Sequence, residues 1–319
     1  MSKKTSSDFR FIDLFAGIGG IRIAFDKNWS TSLRGECVFT SEIDKFAAQT
    51  YEANFGEIPS GDITLIDPKE IPDFDLVLGG FPCQPFSHAG KKLGFDDLRG
   101  TLFFNVAQII KIKKPKVVLL ENVRGLVSHD QGRTFRRIID VLERDLGYKT
   151  HHKILNAKDF GVPQNRSRIF IVAFRDSVDD FEFPEATHKP TKVADALIPG
   201  SNRSGKYTLS DTLWTSHKRR KADHLAKGNG FGYSLFNGRS PYTSTISARY
   251  YKDGSEILIE QKGKNPRKLT PREAANLQGF PRNFSIPVSD TQAYKQFGNA
   301  VSVPVIQAIA EKLRPYLKD

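Results

Sequence analysis

Between residues 10 and 174, short apolar runs alternate with amphipathic stretches, and this alternation constrains the fold more than any other feature. Arg10 to Phe15, Cys37 to Glu42, Phe74 to Gly79, Lys116 to Val123, Thr150 to Leu155 and Arg168 to Phe174 read as strands. Between several of them, Gly20 to Asp26, Lys45 to Asn54, Leu102 to Ile112 and Phe135 to Leu146 repeat apolar residues at helical spacing. Strand, helix, strand repetition predicts an α/β domain with a mainly parallel sheet covered on both faces.

After Arg175 the pattern dissolves into Pro184, Pro190, Pro199 and Gly200. A Gly, Asn and Tyr-rich region then runs to about Pro266, with no helical periodicity beyond about residue 226. A helical pattern resumes at Thr270 to Leu277, and Val305 to Leu313 forms an apolar helix suited to packing back on the first domain. The expected division is 1–185, a smaller irregular domain 186–288, and a segment 289–319 returning to the first domain.

Charge follows the same division. Of the formal +12, residues 186–270 hold 16 basic against 6 acidic side chains. Such a surplus attracts nucleic acid through counterion release. The run Lys218-Arg219-Arg220-Lys221 by itself fits either a phosphate contact or a solvated surface. No run reaches the roughly 18 to 20 apolar residues that span a bilayer, and Met1 to Arg10 is polar, so a cytoplasmic location is expected. Two cysteines, Cys37 and Cys83, supply neither a disulfide framework nor a four-ligand zinc site, and no metal is expected.

The first strand runs into Phe15-Ala16-Gly17-Ile18-Gly19-Gly20, where glycines permit a tight turn or close approach of backbone N–H groups to a ligand. Glu42 ends the second strand about 20 residues on, the place of a ribose-binding acid in this topology. Asp62 follows in Gly61-Asp62-Ile63. Either acid also fits a capping or surface role. Gly79 to Ser87 contains Pro82-Cys83-Gln84 directly after a strand, so the thiol falls at the carboxyl end where such sheets bind ligands. A thiol of ordinary pKa, about 8.5, is only ~3% ionised at neutral pH, so a nucleophilic role needs cationic or general-base help. Glu121-Asn122-Val123 ends another strand, and Gln164 to Arg168 places two arginines two residues apart, on one face if extended. Cys37, mid-strand, reads as a packed small hydrophobe.

Together these motifs resemble the cytosine-5 DNA methyltransferases of bacterial restriction-modification systems. Phe15 to Gly20, Pro82 to Gln84, Glu121 to Val123, Gln164 to Arg168, Arg267 to Glu273 and Gly298 to Val301 stand in the family's order. The resemblance covers nearly the whole chain. It implies a Rossmann-like class I S-adenosylmethionine-dependent methyltransferase domain plus a smaller irregular target-recognition domain.

By that resemblance, S-adenosylmethionine would sit on Phe15, Gly17, Gly19 and Gly20, with Glu42 on the ribose and Ile43, Asp62 and Ile63 near the adenine. Pro82, Leu102 and Asn299 would complete the pocket. Cys83 would add to carbon 6 of a flipped-out cytosine, Glu121 would bond ring nitrogen 3 and the exocyclic amine, and Arg168 with Arg166 would stabilise developing negative charge. The stretch Ser87 to Arg99, with Lys91 and Lys92, would close on DNA. Lys227, Arg249, Tyr250 and Lys252 lie in segments resembling the recognition regions of EcoRII- and Dcm-like and CCGG-specific enzymes, implying a CCNGG- or CCGG-like palindrome. Arg249 suits either bidentate contact with guanine or a phosphate or ion-pair role. The implied partners are double-stranded DNA and a restriction endonuclease paired in function without a stable complex, the chain acting as a monomer. Two rival readings are a tRNA cytosine-5 methyltransferase and a catalytically silent DNA-binding protein.

Overall fold

The computed structural model describes residues 7–82 and 101–318. These residues form two compact units: one holds 7–82, 101–155, 167–185 and 305–318, and the other holds 156–166 and 186–304. The second unit thus extends beyond the expected 186–288 in both directions, taking in the segment before the last strand of the first unit and the chain up to Pro304.

In the first unit the described residues run β1 (Phe9–Leu14), β2 (Gly35–Ser41), α1 (Lys45–Phe55), β3 (Leu76–Gly79), α2 (Leu102–Lys113), β4 (Val117–Val123), α3 (Arg133–Asp140), β5 (Lys149–Asn156) and β6 (Ser167–Phe174). The strands make one sheet in the order β2-β1-β3-β4-β6-β5. Pairs β1–β2, β1–β3 and β3–β4 are parallel, whereas β6 runs antiparallel to β4. Because β6 is reversed, its first residues lie beside the carboxyl end of β4, with Arg168 opposite Val123. That reversal brings a basic side chain to the rim where the parallel strands end.

Alternation assigns the faces. Ile12, Leu14, Val77, Val118, Leu120 and Ile171 pack on one side against residues of α2 and α3 such as Val106, Ile110 and Ile138, all essentially inaccessible. The opposite side meets α1 through Asp13 and Tyr51, and α7 (Val303–Leu317, its residues from 305 in this unit) through the Phe174 and Tyr316 rings. Helix starts are set by side-chain caps. Asp44 accepts from Phe46 N and Ala47 N, and Thr101 from Phe104 N, contacts worth about 1 kcal/mol each.

Two expectations need correcting. Gly20 to Asp26 does not form a full helix but a single 3-10 turn, Arg22–Ala24. Gly17 and Gly19 at positive φ delay entry into helical geometry, and at the far end Asp26 leaves to bridge Gly35 at the start of β2. Second, Asp290–Asn299 is a helix that sequence patterning did not announce. Its apolar positions, Ala293, Tyr294 and Phe297, are scattered among polar residues, and their burial within the second unit stabilises it.

In that second unit, α4 (Asp211–Ala226) is followed by a small sheet of β7 (Leu235–Phe236), β8 (Leu258–Gln261) and β9 (Lys264–Arg267), then α5 (Pro271–Leu277) and α6 (Asp290–Asn299). No helix among the described residues is long and apolar enough to cross a membrane.

Candidate active site

Register places the expected carboxylates on one rim. Leu14 pairs with Ser41 and Gly79, and Gly79 with Leu120, so the next residues, Phe15, Glu42, Gly80 and Glu121, continue those rows at the carboxyl ends of four adjacent strands. The glycine turn begins with Phe15 at φ +54°, a conformation that costs a non-glycine residue strain. Gly17 also has φ +54°, and a Cβ built there would meet nothing within 4 Å, so the backbone presents an open face. Gly19 differs: a Cβ would fall 2.2 Å from the Phe55 ring, so helix α1 packs directly beneath the turn. Gly20 is buried behind it.

Glu42 fastens this turn. Its Oε2 accepts from Gly17 N at 2.8 Å and its Oε1 from Asp44 N at 2.7 Å, leaving lone pairs on both oxygens for further donors such as hydroxyls. Asp62 caps a short turn by accepting from Thr64 N and Oγ1, which together hold its carboxyl below the usual range, and Ile63 beside it is buried. Ile43 is 74% exposed, so its side chain projects from the rim. Leu102 is half-buried in the first turn of α2.

Beneath the turn lies a buried polar cluster that sequence reading did not select. The guanidinium of Arg22 bonds Asp26 and Glu57 and donates to Tyr51 Oη at 2.8 Å, and Tyr51 Oη lies 3.4 Å from Asp13 Oδ2. Burial drives the Asp13 carboxyl up to about 7, with Arg22 and Tyr51 only partly opposing it. Burial likewise pushes the Cys37 thiol far above its ordinary value, in keeping with an inert packed residue. An acid inside an otherwise apolar strand was the available signal for this cluster.

The reactive end of the rim is defined by Glu121. Its Oε1 pairs with Arg168 Nε at 3.0 Å, both side chains largely buried. Burial lowers the Arg168 pKa while Glu121 opposes that shift. The other carboxylate oxygen stands 3.6 Å from where a Gly80 Cβ would be, an ordinary contact distance that puts it beside the strand end leading to Pro82. Asn122 Nδ2 donates to the Phe81 carbonyl at 2.8 Å, anchoring the chain one residue before Pro82. Pro82 is exposed. Cys83, Ser87, Lys91, Lys92 and Arg99 lie outside the described residues.

Arg166 is corrected to a framework role. It is 1% exposed, and its guanidinium donates to the carbonyls of Ile246 at 3.1 Å, Gly298 at 3.0 Å and Ala300 at 2.6 Å. Three backbone carbonyls thus engage both terminal nitrogens of this buried group. Gln164 complements it, accepting from Ile246 N and donating to the Leu277 carbonyl and Gln278. Gly298 fits because a Cβ would come within 2.3 Å of the Ser247 backbone. The motifs at 164–166 and 298–300 are therefore two halves of one clamp, and exposed Asn299 sits at its centre.

Tyr250 is likewise corrected. It is wholly buried, its hydroxyl donating to the Ile257 carbonyl at 2.7 Å and accepting from Leu269 N at 2.8 Å, so it cannot reach DNA. Lys227, Arg249 and Lys252 are exposed, and Arg249 makes no ion pair among the described residues. In the basic run, Lys218 and Lys221 lie over the Trp214 and Tyr233 rings, at 5.7 and 4.3 Å from their centroids.

A family model for C-5 cytosine-specific DNA methylases matches residues 9–314. The chain belongs to that family. This methylase is 59% identical to the type II methyltransferase M1.ScrFI of Lactococcus lactis subsp. cremoris over 321 residues, covering 99% of this chain and 80% of that one. It is 57% identical to the type II methyltransferase M.NlaX of Neisseria lactamica, covering 97% of each. The methylase fold is also that of the Entamoeba histolytica methyltransferase EhMeth, with a TM-score of 0.77 at 22% identity over 98% of this chain and 100% of that one.

Proposed function

We propose that this methylase modifies carbon 5 of a cytosine in a short duplex DNA site, using S-adenosylmethionine and Cys83, and so protects DNA from a functionally paired restriction endonuclease. The Glu121–Arg168 pair on the rim that leads into Pro82-Cys83 carries this reading. Open Gly17, the lone pairs of Glu42 and the neighbouring Asp62 and Ile63 suit a cofactor with ribose hydroxyls and an adenine ring. Bound there, S-adenosylmethionine supplies an electrophilic methyl group.

In the chemistry proposed for the chain, the Cys83 thiolate forms a bond to cytosine carbon 6. The electron pair of the 5,6 double bond moves to carbon 5, and covalent attachment thus creates the nucleophile that free cytosine lacks. Glu121 bonds ring nitrogen 3 and the exocyclic amine, and a proton held at nitrogen 3 accepts the charge that addition pushes into the ring. Arg168 fixes the Glu121 carboxylate and adds a positive charge beside it. After methylation, loss of the carbon 5 proton restores the double bond and expels the thiolate. Reaching carbon 6 requires flipping the base from the stack, at a cost of a few kcal/mol that DNA contacts offset.

Glu121→Gln is expected to cut turnover by about 10²- to 10³-fold, the scale for removing one preorganised polar group, with binding of S-adenosylmethionine unchanged in calorimetry. Turnover within a factor of three of wild type would remove Glu121 from the chemistry.

The target is inferred to be CCNGG- or CCGG-like, read in part by exposed Arg249. Arg249→Ala is expected to relax site choice by roughly 1–3 kcal/mol, measured as the ratio of methylation at the true site to one-base variants. Neutralising Lys218 and Arg219 should instead weaken binding to all duplexes and shallow the plot of log K against log salt, by about one unit for each phosphate no longer neutralised. The decisive experiment is bisulfite sequencing of plasmid from a methylation-deficient host expressing the chain. Protected cytosines in one palindromic context establish substrate and site together. If the folded protein binds S-adenosylmethionine yet protects no cytosine, the DNA reading fails.

A further inference from the structure

Arg220 stands apart from its neighbours in the basic run. Its Nη2 donates to His217 Nδ1 at 2.6 Å, one helical turn back, and to Asp253 Oδ2 at 2.9 Å. A guanidinium only donates, so His217 Nδ1 must carry a lone pair and the neutral ring holds its proton on Nε2. His217 is 1% exposed, and burial keeps its pKa below the ordinary value, favouring that neutral form.

Asp253 belongs to the turn that presents Arg249 and Lys252. Ser247 Oγ donates to Glu256 Oε1 at 2.6 Å, closing the base, and Arg249 N donates to the same Ser247 Oγ at 3.1 Å. Lys252 N reaches the Arg249 carbonyl at 2.9 Å, and Ser255 N reaches Asp253 Oδ1 at 3.1 Å. Buried Tyr250 roots the turn in the core. The turn is therefore stiff within itself, and Arg220 ties it to α4.

We propose that Arg220 is a positioning residue for sequence recognition: held by His217 and Asp253, it sets the turn that aims Arg249 at base edges rather than contacting phosphate itself. This rests on Arg249 being a base-reading side chain. A partly exposed ion pair adds little to stability, whereas a bidentate contact with a base edge tolerates little angular error. The tie should therefore act on site choice more than on folding.

The test compares full-length Arg220→Gln, Asp253→Asn, the charge-exchanged pair Arg220→Asp with Asp253→Arg, Arg249→Ala, and Lys218→Gln with Arg219→Gln. Each is assayed by bisulfite sequencing for the ratio of true-site to one-base-variant methylation, and by the salt slope of duplex binding. Arg220→Gln and Asp253→Asn should each lower the ratio about tenfold with the salt slope kept, and the charge-exchanged pair should recover part of it. A shallower salt slope with an intact ratio in Arg220→Gln would make it a phosphate contact and overturn the proposal. If Arg249→Ala leaves the ratio unchanged, the base-reading assignment has failed and this inference falls with it. If Arg249→Ala collapses the ratio while Arg220→Gln and Asp253→Asn preserve it, only the positioning role is refuted. Should Arg220→Gln fold poorly, Asp253→Asn tests the same tie from its other end.

Discussion

Cys83→Ser is expected to lower methyl transfer by roughly 10³-fold or more while leaving cofactor binding, DNA binding and thermal stability at wild-type levels. The substitution changes one atom but removes the ionisable nucleophile: a thiol near pKa 8.5 offers a few per cent of thiolate at neutral pH, and a serine hydroxyl offers essentially none. Among the described residues of the strand end no other nucleophile is available. Phe81 and Gly80 are apolar, and Glu121 is engaged with Arg168. The surroundings should survive, because the anchoring bond from Asn122 Nδ2 to the Phe81 carbonyl ends before residue 83. Single-turnover methylation of a duplex, with calorimetry of S-adenosylmethionine binding alongside, separates chemistry from binding. Turnover within tenfold of wild type would exclude Cys83 as the attacking group.

Arg267→Met should destabilise the second unit by about 3–5 kcal/mol, the range for breaking a buried ion pair by removing one partner. Glu273 is wholly buried, and Arg267 holds it through two bonds, at 2.7 and 2.9 Å. The same carboxylate also accepts from Thr270 N, Ile198 N and Ser201 Oγ, joining the start of α5 to the 198–201 loop. Burial alone would raise the Glu273 pKa, but the Arg267 bonds and those from Ile198 and Thr270 outweigh it and hold the carboxyl below its ordinary 4.5. A depressed folded-state pKa contributes stability that is present above the unfolded value and lost as pH falls through the folded one. The deficit in Arg267→Met should accordingly be largest at neutral pH, where the unpaired carboxylate is still charged, and should shrink as pH falls, beginning above the ordinary 4.5 because burial without Arg267 raises the Glu273 pKa of the variant. Urea unfolding of both proteins across pH 4 to 7 measures this. A deficit below 1 kcal/mol at neutral pH, or one that grows on acidification, would contradict the account.

Much of the fold was legible because it depends on local periodicity. The strands between Arg10 and Phe174 follow from their apolar runs, and the helical patterns at Lys45 to Asn54 and Thr270 to Leu277 correspond to α1 and α5, whose starts the Asp44 and Thr270 caps fix in the structure. The carboxylates Glu42 and Glu121 could be placed on one rim from chain order, since parallel strands end on the same side of the sheet. Helix α6 was missed because its few buried positions resemble a surface segment until the second unit covers them.

The site itself divides in the same way. Two arginines two residues apart are equivalent in an extended chain, so the sequence alone supports both Arg166 and Arg168 as charge stabilisers. Tertiary structure separated them. The antiparallel placement of β6 set Arg168 beside Glu121, while Arg166 found carbonyls of Gly298 and Ala300 that are 132 and 134 residues away. Burial took Tyr250 out of the recognition surface, and Asp253, 33 residues distant, drew Arg220 out of the basic run. Residue order therefore determined which chemical groups this methylase has and which strand ends carry them, because strand and helix formation obey spacing. Which of two like side chains faces substrate and which holds the frame was decided only in the folded state, because it depends on partners that the chain brings together from far apart.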